Sequence, residues 1–154
     1  MLAERFEFIA DNAGPEAASV RAGLAAHRAA ALPARPDSAG GPPVSLVWRD
    51  AGGRIRAGLI GDVTLDWLFI DKFWVDETLR GQGIGRRMLA AAEERARALG
   101  AVGAHLYTSS FQAPDFYRAR GYAEIGRLRG RPAGHDRLWF AKRWDGADSE
   151  ISLP

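Results

Sequence analysis

The stretch RGQGIG, Arg80 to Gly85, puts glycines at positions 81, 83 and 85 directly before a run with helical periodicity, and arginines at 80, 86 and 87. A glycine-rich turn that opens a helix offers unpaired backbone N–H groups and the positive end of the helix dipole, and missing side chains let an anion approach them. Arginines at that end act against the dipole unless a bound polyanion compensates. The chemistry this pattern serves is therefore the holding of a phosphate or pyrophosphate. Two templates for such a loop fail on essential residues. The dinucleotide fingerprint G-x-G-x-x-G meets Arg86 where its third glycine belongs, and the triphosphate loop G-x-x-x-x-G-K-[ST] finds neither its lysine nor its hydroxyl. The same glycines would also serve a plain tight turn between a strand and a helix.

Several elements must position that loop. Ahead of it, DWLFIDKFWV (66–75) is rich in aromatics and nearly continuous in apolar character, as expected of a strand near the centre of a sheet. After it, Ile84, Met88, Ala92, Ala96 and Leu99 recur at helical spacing, Glu93 stands four residues before Arg97, and Gly100 suits the residue past a helix end. VSLVWRD and RIRAGLIGDV flank the turn Ala51–Gly53 and predict a hairpin, with Gly58 and Gly61 marking bulges or close backbone approach. AVGAHLYT (101–108) predicts a strand and SSFQAPDFYRARGY a short helix, with Pro114 and Asp115 in its first turn and Gly121 ending it. AEIGRLRG and RLWFAKRW are two closing strands. At the start, RFEFIA (5–10) alternates like a half-buried strand, and Pro15 and Glu16 open a helix carrying Val20, Leu24 and Ala31. The Pro/Gly-rich segment 33–43 predicts a surface loop, and 145–154 a flexible tail. Strands and helices mixed in this order predict an α/β (α+β mixed) fold, with a central, mostly antiparallel twisted sheet of about six to seven strands flanked by helices.

Composition sets the outer limits. The chain of 154 residues, 47% hydrophobic and 26% charged, fits one compact domain over 1–154. With 21 basic and 19 acidic residues its formal charge is +2, which permits an anionic ligand but lacks the excess expected of a nucleic-acid binder. Nineteen of the basic residues are arginine, a bias that favours bidentate contacts with phosphate or carboxylate and could equally reflect coding bias. The absence of cysteine removes disulfides, thiolate metal sites and a cysteine nucleophile. The opening residues resemble no secretory signal and no stretch reaches membrane-spanning length, so a soluble cytoplasmic protein is expected. An exposed sheet edge or the last strands offer a route to a homodimer.

RGQGIG after a strand ending FWV, together with HLYTSSFQAPDFYRARGY and its FY…GY ending, resembles the GCN5-related N-acetyltransferases over essentially Arg5 to Trp144. The resemblance implies a bacterial transferase in which a splayed strand pair forms an acetyl-CoA cleft. Backbone N–H groups from Gly81 through Gln82, Gly83 and Ile84 to Gly85, with Arg80 and Arg86, would hold the coenzyme pyrophosphate. Phe73, Trp74 and Val75 would run beside the pantetheine arm, and Ser110 or Gln112 would make the contact that many relatives give to an asparagine. Tyr117, next to Phe116, matches the tyrosine that gives a proton to the leaving thiolate. An amine would attack the thioester directly, with no metal, and a strand N–H, that of Val75, would steady the developing oxyanion.

A base must also exist, because a free amine is mostly protonated at neutral pH. Asp71 and Glu77 lie on or beside the central strand, and alternation puts Asp71 on the same face as Phe73 and Val75. His135 lies in a loop that can overhang the cleft, and histidine is a residue type suited to accepting a proton at neutral pH. Trp67, Phe69, Trp74 and Phe111 are candidates for an apolar acceptor pocket. The acceptor is expected to be an amine on a small molecule or on a peptide or protein. A catalytically silent acyl-CoA sensor of the same fold and a nucleotide binder using the basic loop are the competing readings.

Overall fold

The computed structural model describes residues 6–35 and 40–144, so Arg5, part of the 33–43 loop and the expected tail at 145–154 lie outside the described residues. The chain divides into two compact units, one ending at Ala39 and one beginning at Gly40. The first holds helix α1 (Pro15–Ala31), with Pro15 in its first turn, where no N–H is needed, Glu16 beside it and Arg28 at the opposite end. The strand expected over 5–10 is not there: residues 6–10 form no strand. Alternation gives a segment two faces, but a strand also needs a partner for its backbone groups.

The second unit runs β1 (Leu46–Arg49), β2 (Ile55–Thr64), β3 (Trp67–Val75), α2 (Ile84–Ala98), β4 (Gly103–Ser109), α3 (Pro114–Arg118), β5 (Ala123–Arg129) and β6 (Asp136–Arg143). Its six strands lie in the order β1-β2-β3-β4-β6-β5. Every pair is antiparallel except β3 with β4, whose parallel arrangement follows from the crossover through α2. Leu89, Ala92 and Ala96 of α2 pack on Leu68, Ile70, Leu106, Leu138 and Phe140, all buried, and this is the core of the unit.

One irregularity in the β2–β3 ladder decides which side chains share a face. Ile60 faces Lys72 and Gly61 faces Ile70, so Asp71 is the extra residue of a bulge. Glycine is required at 61 because a Cβ there would meet the Phe69 carbonyl oxygen at 2.5 Å. Past the bulge the alternation shifts by one. Leu68 and Ile70 are on the core side, and Phe73 joins them, while Asp71 and Lys72 are both exposed. The expectation that Asp71 shares a face with Phe73 and Val75 is therefore corrected, since an unbroken period of two cannot continue through a bulge.

Candidate active site

β3 and β4 are paired only from Trp67 with Gly103 to Ile70 with Leu106. Beyond that point β3 continues for five residues and β4 for three, and the two separate. A cleft of about 990 Å³ opens between them, with the start of α2 on one side and α3 on the other. The free edge of β3 faces into it. Asp76 donates its N–H to the Arg56 carbonyl at 2.8 Å, so alternation turns the N–H groups of Trp74 and Asp76 towards β2 and those of Phe73 and Val75 towards the cleft. An extended ligand lying there can take the place of a missing strand.

The turn after β3 is fixed by side chains. Asp76 accepts hydrogen bonds from the Thr78 N–H at 3.0 Å and from Arg56 Nε at 3.0 Å, while Arg56 also donates to Thr78 Oγ1 at 2.7 Å. The Arg56 guanidinium, followed by the Thr78 hydroxyl, holds the Asp76 carboxyl well below the usual carboxylate range. Arg80 Nε then donates to the Val75 carbonyl at 3.3 Å and Gln82 Nε2 to the Thr78 carbonyl at 3.1 Å. Gly81 and Gly83 have φ of +75° and +74°, the left-handed region that side chains disfavour. Gly83 caps α2 without a side-chain hydrogen bond, and the first helical bond runs from Arg87 N–H to its carbonyl at 3.1 Å. The amides of Ile84, Gly85 and Arg86 thus have no acceptor within the helix. Gly85 serves close packing instead. A Cβ there would meet the Phe116 ring at 3.3 Å and Val75 Cγ2 at 3.5 Å, so the helix start could not lie so close to the cleft wall.

Tyr117 is buried on that wall. Its ring lies 5.2 Å from Phe116, 5.8 Å from Tyr122 and 6.0 Å from Phe140, and burial pushes its phenol up to about 12. Asp71 lines the cleft at the point where the strands part, ion-paired at 2.6 Å with Lys72 Nζ, whose pKa it raises.

Of the residues named from sequence, the cleft is lined by Asp71, Phe73, Trp74, Val75, Arg80, Gly81, Gly83, Ile84, Gly85, Arg86, Phe111, Gln112, Phe116 and Tyr117. The others lie off it. Glu77 is exposed in the short 3-10 turn Glu77–Leu79 before the loop, and Gln82 braces that turn. Ser110 accepts the Asp136 N–H at 3.0 Å, which joins it to the start of β6. Gln112, although in the lining, has its Oε1 engaged, accepting from Thr108 Oγ1 at 2.9 Å and the Ser109 N–H at 3.0 Å. Trp67 and Phe69 lie on the sheet face opposite α2, against His105, with ring distances of 6.2 and 5.0 Å. His135 is exposed and meets Phe111 edge-on at 5.1 Å, beside the cleft rather than in its lining. Sequence reasoning did not single out Lys72, Leu79, Arg120 or Arg137, which also line it.

A helix start whose first amides have no helical acceptor, an unpaired strand edge and a buried phenol thus meet in one cleft. Residues 23–122 match the family described as Acetyltransferase (GNAT) family. The chain is 42% identical over 83 residues to blasticidin-S acetyltransferase of Streptomyces morookaense, covering 53% of this chain and 61% of that one. It is 34% identical over 101 residues to an acetyltransferase of Agrobacterium fabrum, covering 66% and 74%. A crystal structure of an acetyltransferase from Bacillus cereus superposes with a TM-score of 0.76 at 31% identity, over 90% of this chain and 98% of that one. The chain belongs to the GNAT acetyltransferase family.

Proposed function

We propose that the protein transfers the acetyl group of acetyl-CoA to a primary amine of a small molecule or a peptide, in the cytoplasm, where acetyl-CoA is available. The observation that carries this reading is the meeting, in one cleft, of unpaired amides at the start of α2 with the unpaired edge of β3. Together they match a ligand that has a pyrophosphate at one end and an extended, amide-bearing arm. When bound, acetyl-CoA supplies an activated thioester. The amides of Gly81 to Arg86, with Arg80 and Arg86, hold the pyrophosphate, and the N–H groups of Phe73 and Val75 hold the arm. Tyr117, protonated throughout the physiological range, would give its proton to the leaving thiolate. Asp71 is the carboxylate that receives the amine's proton.

Titration calorimetry with acetyl-CoA, free CoA and NAD tests the reading, combined with an assay of thiol release in the presence of amines. The wild type is expected to bind acetyl-CoA and CoA in the micromolar range and to discriminate against NAD. Gly83→Asp should abolish that binding, because it puts a side chain and a negative charge where phosphates lie. Unchanged affinity in the variant removes the loop from the site, and wild-type protein that binds neither thioester nor thiol ends the transferase reading.

A further inference from the structure

Two of the arginines lining the cleft, Arg120 and Arg137, each keep a buried Nε–H with no hydrogen-bond acceptor among the described residues. A buried donor left unmet costs free energy, so each marks a place where an acceptor is missing. Arg120 belongs to the coenzyme half. It donates to the Phe116 carbonyl at 2.7 Å and lies 3.8 Å over the Phe116 ring, the ring that packs against the start of α2 at Gly85.

Arg137 stands on the other face of the sheet. It alternates along β6 with Leu138, which is buried under α2, and it is paired across the ladder with Ser109 at the parted end of β4. Its guanidinium is half-buried and lies 4.4 Å over the ring of Tyr107, which fixes its plane. Among the described residues no carboxylate pairs with it. Asp71, the one carboxylate among the described residues of the cleft lining, is held by Lys72. A pre-oriented cation without a counter-charge therefore faces the half of the cleft that the loop and α2 do not occupy.

We propose that Arg137 anchors a carboxylate carried by the acceptor, so that the preferred acceptors are amines bearing a carboxylate, such as amino acids and their ω-amino relatives. This rests on the transferase reading and deepens it. A planar, rigid guanidinium pairs well with a carboxylate, and an acceptor lacking that group leaves the arginine unmet, so the site discriminates by what remains unpaired.

The test uses matched acceptors, α- and ω-amino acids against the corresponding amino amides, in the wild type and in Arg137→Met and Arg137→Lys, with coenzyme affinity measured on each. The wild type should prefer the carboxylates. Arg137→Met should raise their KM by about ten- to a hundredfold while leaving the amides and the CoA affinity unchanged, with partial recovery in Arg137→Lys. Equal loss on both kinds of acceptor, a wild type indifferent to the carboxylate, or a fall in CoA affinity in Arg137→Met would each overturn the proposal. CoA binding and release with the amides alone would refute the role of Arg137 and leave the transferase reading standing.

Discussion

Tyr117 keeps its proton because the residue is only 8% exposed and ringed by Phe116, Tyr122 and Phe140, and burial alone moves its pKa to about 12. In the proposed transfer, a thiolate whose conjugate acid titrates near 8.5 would take a proton from such a phenol only as the C–S bond breaks, so the group would act by a strong hydrogen bond as much as by full transfer. The loss in Tyr117→Phe is accordingly expected at the low end for general acids, about a hundredfold in kcat, with CoA affinity retained. The phenol is active while protonated, so its contribution persists as pH rises and disappears only near 12. Profiles of kcat between pH 6 and 10 for both proteins should be parallel. A rate unchanged by the substitution would exclude the role. The FY…GY pattern pointed to this tyrosine in the sequence, and it lines the cleft. Arg120 and Arg137 were not legible, because an arginine in a strand or after a short helix reads as solvated charge, and the parting of β3 and β4 that exposes both to one cleft is a matter of register.

The glycine loop depends on the turn before it, and that turn depends on Asp76. Its carboxylate bridges Arg56 of β2 and Thr78 of the 3-10 turn, so the exit of β3 is tied to the neighbouring strand before the chain reaches Arg80. A carboxyl whose folded pKa lies below its unfolded value near 3.9 stabilises the fold above that value and loses the contribution as pH falls through the folded pKa. Urea unfolding of the wild type should therefore show stability falling below about pH 4, and Asp76→Asn should be less stable at pH 7 with a shallower acid limb. The variant should also bind CoA several-fold more weakly, since the amides of the loop lose their fixed start. An acid limb of unchanged steepness would mean that the bridge is not formed in solution. At this scale α2, α3 and the six strands were legible within a few residues from periodicity, capping and glycine placement. The bulge at Asp71 was not. Gly61 hinted at close approach, but alternation read through the interruption, and only the register across β2 shows the side chains changing faces.

The two halves of the sheet diverge at the cleft, so α2, which spans both, must be fastened to each. On the β4 side the fastening is polar. Glu93, 6% exposed, accepts from Tyr122 Oη at 2.9 Å and from Lys142 Nζ at 3.0 and 3.1 Å, with Arg97 at 3.7 Å. The helical spacing of Glu93 and Arg97 announced a pair along the helix. The larger partners arrive from 29 and 49 residues away and could not be read locally. Breaking a buried pair by removing one member leaves a charge uncompensated, and Glu93→Ala should cost about 3 kcal/mol, the lower end of the usual range because Lys142 keeps some contact with water. Removing the buried polar partners together is a different matter. Glu93→Leu with Lys142→Met and Tyr122→Phe leaves no buried charge or donor unmet, because Arg97, the partner that remains, is exposed and can be met by water, and stability should return to within about 2 kcal/mol of the wild type. Denaturant unfolding of the single and triple variants separates the possibilities. A triple variant as unstable as Glu93→Ala would mean that packing volume holds α2 in place, whereas recovery would show that the network's demand is for mutual satisfaction, and that CoA affinity in the triple variant should survive with the helix.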